Sequence, residues 1–190
     1  ISASSDRSLK LWDAASGKLI RTLQEQPGGD RRGFAPDCCA FSPDSRLIIS
    51  STQPTITIWD AVNGEAVLTV KGVKPCDFSP DGRRFFAGKG NTLLLLNTVN
   101  GQVTQILEGH TAWVQDCAFS PDGRWIVSAA RDGLKLWDAN SGQEIRTMEG
   151  QTQRIKACKF SPDGRWIICA KLDHTVQVWE VATGKVFCVL

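Results

Sequence analysis

The sequence predicts an all-β protein in which four-stranded antiparallel sheets, or blades, repeat along the chain. Two recurring phrases carry this prediction. The phrase Phe-Ser-Pro-Asp recurs at intervals of 37, 41 and 41 residues, beginning at Phe41, Phe78, Phe119 and Phe160. A Trp-Asp pair or a variant of it keeps the same period, beginning at Trp12, Trp59, Leu96, Trp137 and Trp179. A period of about 40 residues that carries a Trp-Asp pair is typical of stacked four-stranded blades.

The segment 109–149 shows the elements of one unit most clearly. β-forming residues from Ala112 to Phe119 predict the first strand, with alternate side chains on one face. The turn 120–123 follows, because its proline fixes φ and its glycine accepts a positive φ. Apolar runs at 125–129, 134–137 and 144–148 predict the second, third and fourth strands. Tight turns between these strands make the unit an antiparallel meander.

A glycine follows the third strand at the same offset in every unit. It stands five residues after the Trp or Leu position, at Gly17, Gly64, Gly101, Gly142 and Gly184. A glycine at one offset five times indicates a backbone position that requires a left-handed conformation. We therefore expect positive φ at all five positions.

The same pattern divides the chain into five units of about 1–24, 37–71, 74–108, 109–149 and 150–190. The first unit begins without its innermost strand, so we expect three strands there and four in each of the others. The chain is therefore expected to hold 19 strands, or about four and a half blades. A single unit cannot cover its own apolar face, so the units must stack on one another.

These phrases resemble WD40-repeat β-propellers, and the resemblance covers all 190 residues. Blades of that family often hold a hydrogen-bonded tetrad of a His before the first strand, a Ser or Thr in the second, an Asp in the next turn and the third-strand Trp. Such a chain gives the buried indole N–H an acceptor and fixes the turns. The resemblance implies a structural tetrad in the fourth unit, formed by His110, Ser128, Asp132 and Trp137.

The other units depart from the tetrad pattern, which predicts blades of uneven stability. The third unit lacks the Trp. The members that remain are Ser2, Asp6 and Trp12 in the first unit, Ser50 and Trp59 in the second, and Asp173 and Trp179 in the fifth, where Gln151 and Cys169 replace the His and the Ser. WD40 rings resemble one another in closing with six to eight blades, so the resemblance implies a segment of a larger propeller.

Charge and composition narrow the function classes. The chain carries 22% charged residues of mixed sign and a net charge of +2, which gives no strong field for DNA or a membrane surface. The densest basic stretch holds Arg154, Lys156, Lys159 and Arg165 beside Trp166, so an RNA-binding surface stays open as an alternative. The odd cysteine count, with no secretion signal and no long apolar run, favours a reducing cytoplasmic or nuclear setting.

The seven cysteines follow the repeat rather than a ligand pattern. Four of them stand two residues before the Phe of the Phe-Ser-Pro-Asp phrase, at Cys39, Cys76, Cys117 and Cys158. They share a face with that Phe and are expected to pack between blades as small apolar side chains. Zinc needs closely spaced Cys or His ligands on turns, so we expect no metal and no other cofactor.

Catalysis has little support in the sequence. The two histidines, His110 and His174, have no nucleophile and carboxylate in a motif context, and no glycine-rich loop has the Lys-Ser/Thr of a phosphate site. The leading hypothesis is a non-enzymatic protein–protein interaction scaffold that is part of a larger protein or complex. The alternatives are a sensor or regulatory tail of a nucleotide-binding oligomerisation (NACHT-like) protein and an RNA-binding propeller in a ribonucleoprotein. Expected partners are other proteins or peptides, or other domains of the same polypeptide, and not a membrane.

Candidate partner-binding residues lie in the connections into the first strands and in the turns after the second strands, where the units differ. In WD40 relatives these positions gather on one face around the central channel. Trp and Arg are enriched at interface hot spots, so Trp113 and Arg131 are the expected anchors. The long polar stretch 24–37 is a second candidate for partner contact. The full set of candidates is Phe34, Lys74, Trp113, Arg131, Arg154, Lys156 and Leu172.

Overall fold

A computed structural model describes residues 1–4, 8–24, 38–52, 54–71, 77–148 and 155–190. All of the regular structure in these residues is β-strand. In chain order the strands are β1 (Ser2–Ala3), β2 (Ser8–Trp12), β3 (Leu19–Gln24), β4 (Cys38–Phe41), β5 (Leu47–Thr52), β6 (Thr55–Asp60), β7 (Ala66–Lys71), β8 (Arg84–Lys89), β9 (Thr92–Asn97), β10 (Val103–Leu107), β11 (Asp116–Phe119), β12 (Trp125–Ala130), β13 (Gly133–Asp138), β14 (Glu144–Met148), β15 (Ile155–Phe160), β16 (Trp166–Lys171), β17 (Val176–Glu180) and β18 (Val186–Val189).

The strands form five antiparallel sheets in which neighbours in sequence are neighbours in the sheet. The sheets are β1-β2-β3, β4-β5-β6-β7, β8-β9-β10, β11-β12-β13-β14 and β15-β16-β17-β18. The prediction of an all-β chain of antiparallel blades is confirmed. The described residues hold 18 strands rather than the 19 expected.

The missing strand belongs to the third unit. Within the described residues its first strand is reduced to an isolated bridge between Phe78 and Phe85. The N–H of Phe86 also donates to the carbonyl of Asp77 at 3.1 Å. The third unit is predicted to begin at residue 74, and residues 72–76 lie outside the described residues.

The first strand of the fourth unit is shorter than predicted, because β11 begins at Asp116 rather than at Ala112. The backbone before it is committed to other partners. The N–H of Thr111 donates to the carboxylate of Asp132 at 2.6 Å, and the N–H of Val114 donates to the carbonyl of Gly90 at 3.0 Å. These groups are therefore not available to a strand ladder.

The hydrophobic core lies in layers between successive sheets rather than inside any one of them. Between the third and fourth sheets, for example, Leu95 and Phe86 pack with Ile126 and Trp137. Between the fourth and fifth sheets, Val127 and Leu136 pack with Ile167 and Trp179. In the second, third and fourth units the second and third strands are largely buried on both faces, which explains their mainly apolar sequences.

In the second, fourth and fifth units the third-strand Trp faces the preceding sheet. Trp59, Trp137 and Trp179 are buried, with 4%, 1% and 0% of their surface exposed, whereas Trp12 is 39% exposed. In the third unit Leu96 takes the Trp position and is buried against residues of the second sheet. The unit therefore keeps its packing without an indole.

The Ser-Pro-Asp turn between the first and second strands is closed by its own side chains. In the fourth unit the hydroxyl of Ser120 donates to Asp122 Oδ1 at 2.6 Å, and the N–H of Arg124 donates to the same oxygen at 3.0 Å. The same pair of bonds forms around Asp44, Asp81 and Asp163. These carboxylates are therefore part of the architecture.

The glycine after the third strand adopts positive φ in all five units, at 66°, 77°, 68°, 73° and 70°, which confirms the prediction. Because the strands are antiparallel, each blade has two ends. We call the end that carries the Ser-Pro-Asp turns and these glycine turns the turn end. The opposite end, which carries the connections into the first strands and the turns after the second strands, is the tetrad end.

Candidate functional site

The tetrad end of the fourth unit is held by a chain of four hydrogen-bonded side chains. His110 Nδ1 lies 2.7 Å from Asp132 Oδ1, and His110 Nε2 lies 2.7 Å from Ser128 Oγ. The indole N–H of Trp137 donates to Ser128 Oγ at 2.8 Å. The structure thus brings together the four residues that the resemblance implies for a tetrad. Three of them are buried, and the Asp132 side chain is 20% exposed.

The protonation states of His110 and Asp132 determine which atom donates in each hydrogen bond of the tetrad. Burial lowers the pKa of His110, and the bond to Asp132 offsets this only in part. Burial acts to raise the pKa of Asp132, but hydrogen bonds from Thr111 and His110 hold it below its usual value. At neutral pH the imidazole is therefore neutral and the carboxylate ionised. Nδ1–H donates to Asp132, and Nε2 accepts the hydroxyl proton of Ser128.

The other units keep only parts of this chain. Trp12 donates to Ser2 Oγ and Trp59 donates to Ser50 Oγ, both at 2.9 Å. Asp6 and Gln151, which the sequence places in the first and fifth tetrads, lie outside the described residues. The indole N–H of Trp179 is buried and has no hydrogen-bond partner among the described residues. Cys169 stands where the first, second and fourth units have the Ser that accepts this N–H.

Trp113 is the most exposed Trp in the described part of the chain, with 68% of its surface exposed. It lies in the connection between β10 and β11, not in the first strand where the sequence places it. The two residues that follow it are fixed by backbone hydrogen bonds. Val114 is bonded to the carbonyl of Gly90 in the third unit, and the N–H of Gln115 donates to the carbonyl of Ala129 at 2.8 Å. The indole is therefore presented on an ordered backbone at the tetrad end.

Three other candidate residues lie at the same end and are exposed. Arg131 follows β12 directly before Asp132, Lys156 stands near the beginning of β15, and Leu172 lies in the turn after β16. Leu172 is 51% exposed. We call Trp113, Arg131, Lys156 and Leu172 the tetrad-end patch. The remaining candidates, Phe34, Lys74 and Arg154, lie outside the described residues.

Sequence reasoning missed Lys89, which is exposed at the end of β8. It directly precedes Gly90, whose carbonyl accepts the N–H of Val114. This bond joins the turn of the third unit to the segment that carries Trp113. When the units are aligned on the Phe-Ser-Pro-Asp phrase, Lys89 stands one residue before the position of Arg131. This closeness could have marked Lys89 as a further candidate.

Sequence reasoning also missed a set of contacts between neighbouring blades near the turn end. Arg21 donates to the carbonyl of Val62 at 3.2 Å, and Arg146 donates to the carbonyl of Ala182 at 3.0 Å. Gln105 in turn bonds to the carbonyl of Asn140. The three side chains occupy one position on the fourth strand, opposite the residue one before the third-strand Trp or Leu. We call them the inter-blade clamps.

A group of charges joins the inner strands of three units. Lys159 of the fifth unit pairs with Asp77 of the third at 3.0 Å. Asp116 of the fourth accepts the N–H of Cys158 at 2.8 Å. Burial raises the pKa of Asp116; burial acts to lower the pKa of Lys159, but the charge of Asp77 holds it above its usual value. Lys159 is thus paired with Asp77, and Asp116 accepts a backbone N–H, so we do not treat this group as a candidate ligand site.

Three of the four repeat cysteines pack between the blades as expected: Cys117 and Cys158 are buried and free, and Cys39 is free and half-buried. The fourth, Cys76, lies outside the described residues. Cys38, whose side chain alternates to the other face of β4, is disulfide-bonded, which the odd cysteine count does not predict. Among the described residues no group of three or more His, Cys, Asp or Glu could hold a metal ion.

Two open clefts lie at the turn end, between successive Ser-Pro-Asp turns. One is bounded by Pro121, Trp125 and Pro162, and the other by Pro80, Arg84 and Asn140. Because both are repeats of one packing arrangement, they are a consequence of blade stacking. No helix that could cross a membrane is found in the part of the chain that the structure describes.

Comparison with family models gives three matches to the WD domain, G-beta repeat, at residues 17–60, 101–138 and 142–180. These segments make up more than half of the chain. The chain belongs to the WD40 family. Each match runs from the fourth strand of one sheet to the third strand of the next, as β14 to β17 do within 142–180. The matches omit 61–100, where Leu96 replaces the Trp.

Among curated proteins the chain is similar to nuclear distribution protein PAC1 of three fungi. It is 39% identical over 74 residues to the proteins of Arthroderma benhamiae and Trichophyton verrucosum, and 36% identical over 75 residues to that of Arthroderma otae. The matched segment makes up 37% or 38% of this chain and 15% of each relative. The chain thus spans only a small part of these relatives.

Proposed function

We propose that this chain is a non-enzymatic scaffold that binds other proteins through its tetrad-end patch. The observation that carries the proposal is Trp113, a large apolar side chain that is 68% exposed. Hydrogen bonds of Val114 and Gln115 order its backbone. An ordered aromatic side chain contributes contact area to a partner at small entropic cost. WD40 repeats and the similarity to nuclear distribution proteins support the same role and a cytoplasmic or nuclear setting.

The charge around Trp113 favours an acidic partner. Arg131, Lys156 and Lys89 are exposed at the same end. The carboxylates of Asp132 and Asp173 are already engaged: Asp132 by Thr111 and His110 of the connection before β11, and Asp173 by Thr175 of its own turn. We therefore propose a peptide that carries Asp or Glu beside an aromatic or apolar side chain.

The same composition would also suit single-stranded RNA, because bases stack on exposed aromatic side chains between basic residues. RNA binding would weaken steeply as salt is raised, since each phosphate contact releases counterions. Peptide binding that depends on burial of an apolar side chain at Trp113 would depend less on salt. The salt dependence therefore separates the two functions. The sensor-tail alternative does not predict a different ligand for the tetrad-end patch.

The test compares two double variants of the whole chain. Trp113→Ala with Arg131→Ala should weaken binding of a fluorescent Glu- and Phe-containing peptide about tenfold, or about 1.4 kcal/mol. The melting temperature should stay nearly unchanged, because both side chains are exposed. The control is Arg83→Ala with Val99→Ala, which removes an exposed cation and an exposed apolar side chain at the turn end and should bind normally.

Two outcomes would contradict the proposal. If the Trp113 and Arg131 variant unfolds, Trp113 contributes to the core rather than to binding. If both variants bind the peptide equally well, the partner site lies elsewhere, and the rim of the blades becomes the better candidate. Binding of polyuridine in place of the peptide, lost between low and moderate salt, would favour the RNA alternative.

A further inference from the structure

The fifth unit contains a pair of cysteines that face each other across two strands. Cys158 in β15 is the direct partner of Cys169 in β16. The equivalent pairs are Cys39 with Ser50 in the second unit and Cys117 with Ser128 in the fourth. Both Cys158 and Cys169 are free and buried, with 1% and 0% of their surface exposed. Of the described units, only the fifth therefore places two thiols at this position.

The register makes this a pair without mutual hydrogen bonds. At the turn, the N–H of Ser161 donates to the carbonyl of Trp166 at 2.9 Å, and bonded and non-bonded pairs alternate from there. Cys158 and Cys169 are the third pair further on and are thus non-bonded. In agreement, the N–H of Cys158 points away from β16 and donates to Asp116.

This position suits a disulfide. Residues of a non-bonded antiparallel pair have Cα atoms about 4.5 Å apart, with side chains on the same face. Disulfides span Cα separations of about 4.4–6.8 Å. The two sulfurs can therefore be joined without moving either strand far.

The presence of Cys169 in place of Ser also weakens the fifth unit. Ser50 and Ser128 accept the indole N–H of their own Trp. With Cys169 in place of this Ser, the indole N–H of Trp179 has no partner among the residues that the structure describes. A buried donor without an acceptor destabilises the folded state. Opening of this sheet is therefore favoured relative to the fourth.

We propose that Cys158 and Cys169 are an oxidisable dithiol, which a low-molecular-weight disulfide such as oxidised glutathione converts to a cross-strand disulfide. One cysteine thiolate attacks a sulfur of the oxidised glutathione, forms a mixed disulfide and releases one glutathione thiolate. The second cysteine thiolate then attacks the protein sulfur of the mixed disulfide and releases the second glutathione. Two protein thiols are oxidised, one glutathione disulfide is reduced, and the two protons pass to the released thiolates.

The reaction proceeds through the open form of the unit. Burial raises the pKa of Cys169 to about 12 and that of Cys158 well above its ordinary value. Since the thiolate is the nucleophile, the closed unit is nearly inert. Once formed, the disulfide joins β15 to β16 and makes later opening less favourable. The oxidation state of the pair thus sets how often the fifth blade opens.

The test treats the whole chain with a glutathione redox series, blocks free thiols and digests with trypsin without reduction. Cleavage after Lys156, Lys159, Arg165 and Lys171 releases the peptides 157–159 and 166–171. The expected cysteine product is these two peptides joined by a disulfide. It should form faster in urea below the unfolding transition, and the oxidised chain should melt at a higher temperature than the reduced chain.

The matched variant is Cys169→Ser, which places here the residue of the second and fourth units, Ser50 and Ser128, and is expected to fold. It should abolish the linked peptides and reduce the redox dependence of melting to the part that the disulfide of Cys38 gives. A link between Cys158 and Cys117, whose peptide is 90–124, would overturn the proposal. So would mixed disulfides with glutathione at Cys158 or Cys169 that do not proceed to the linked pair, or an absence of any product at these cysteines in urea.

Discussion

At the scale of single residues, the Ser-Pro-Asp turn shows what the backbone requires and where the chain departs from it. The third, fourth and fifth units place glycine after the Asp, with φ of 69°, 71° and 71° at Gly82, Gly123 and Gly164. The second unit has Ser45 at the same position, with φ of 60°. A residue with a Cβ is strained in this region by about 1–2 kcal/mol.

We predict that Ser45→Gly stabilises the chain by about 0.5–1 kcal/mol. Relief of the backbone strain exceeds the entropy that glycine adds to the unfolded state. The reciprocal control is Gly82→Ser, whose Cβ would lie at ordinary contact distance, 3.5 Å, from the ring of Pro43 and should destabilise by a similar amount. Urea unfolding would measure both changes, and a destabilised Ser45→Gly variant would show that another feature holds this turn.

At the scale of one blade, the tetrad holds together three parts of the fourth unit. It joins the segment before the first strand, through His110, to the second strand through Ser128 and to the following turn through Asp132. The same carboxylate also accepts the N–H and the hydroxyl of Thr111. The tetrad therefore supports the backbone on which Trp113 is presented, two residues further along.

We predict that His110→Ala and Asp132→Asn each destabilise the chain by about 1–3 kcal/mol, because each leaves a buried partner unsatisfied. The double variant should lose less than the sum, since both residues belong to one network. The measurement is a double-mutant cycle by urea unfolding at pH 7, where the lowered pKa keeps His110 neutral. Full additivity would show that the four side chains do not act together.

The sequence was informative about the blades because their cause is local and repeated. The glycine offset predicted a left-handed residue after every third strand, and the structure has one at each position. The shortened β11 was not predictable, because Val114 is bonded to Gly90, which lies 24 residues earlier and in another sheet. The bonded state of Cys38 was missed for a similar reason: no local pattern near Cys38 marks a disulfide.

At the scale of the whole molecule, the sequence repeat and the sheet are out of phase. The family match at 142–180 contains the fourth strand of one sheet and three strands of the next. The chain therefore crosses each interface within a repeat. The core layers and the inter-blade clamps lie at these same interfaces. Clamps join residues 35 to 41 positions apart, about one repeat period. The repeated phrases therefore indicate that these segments are neighbours, but not which side chain bonds to which carbonyl.

A glycine in the turn after the third strand can also leave room for the clamp side chain of the neighbouring blade. Two matched glycines, Gly184 and Gly17, separate this role from the requirement for positive φ. Gly184 has φ of 70°, and a Cβ there would collide with the side chain of Arg146; Gly17 has φ of 66° and no atom within 4 Å of a Cβ. Both substitutions to Ala strain the backbone by about 1–2 kcal/mol. Only Gly184→Ala also displaces Arg146 from the carbonyl of Ala182. We predict that it destabilises the chain by about 1 kcal/mol more than Gly17→Ala.

The arginine can be tested in the same way. Arg146→Ala removes the clamp and the collision together, so the double variant with Gly184→Ala should lose less than the sum of the two single variants. Urea unfolding of the four chains gives the coupling directly. Equal destabilisation by Gly17→Ala and Gly184→Ala would mean that the glycines serve the turn alone. In that case the apolar layers, and not the clamps, would hold neighbouring blades together.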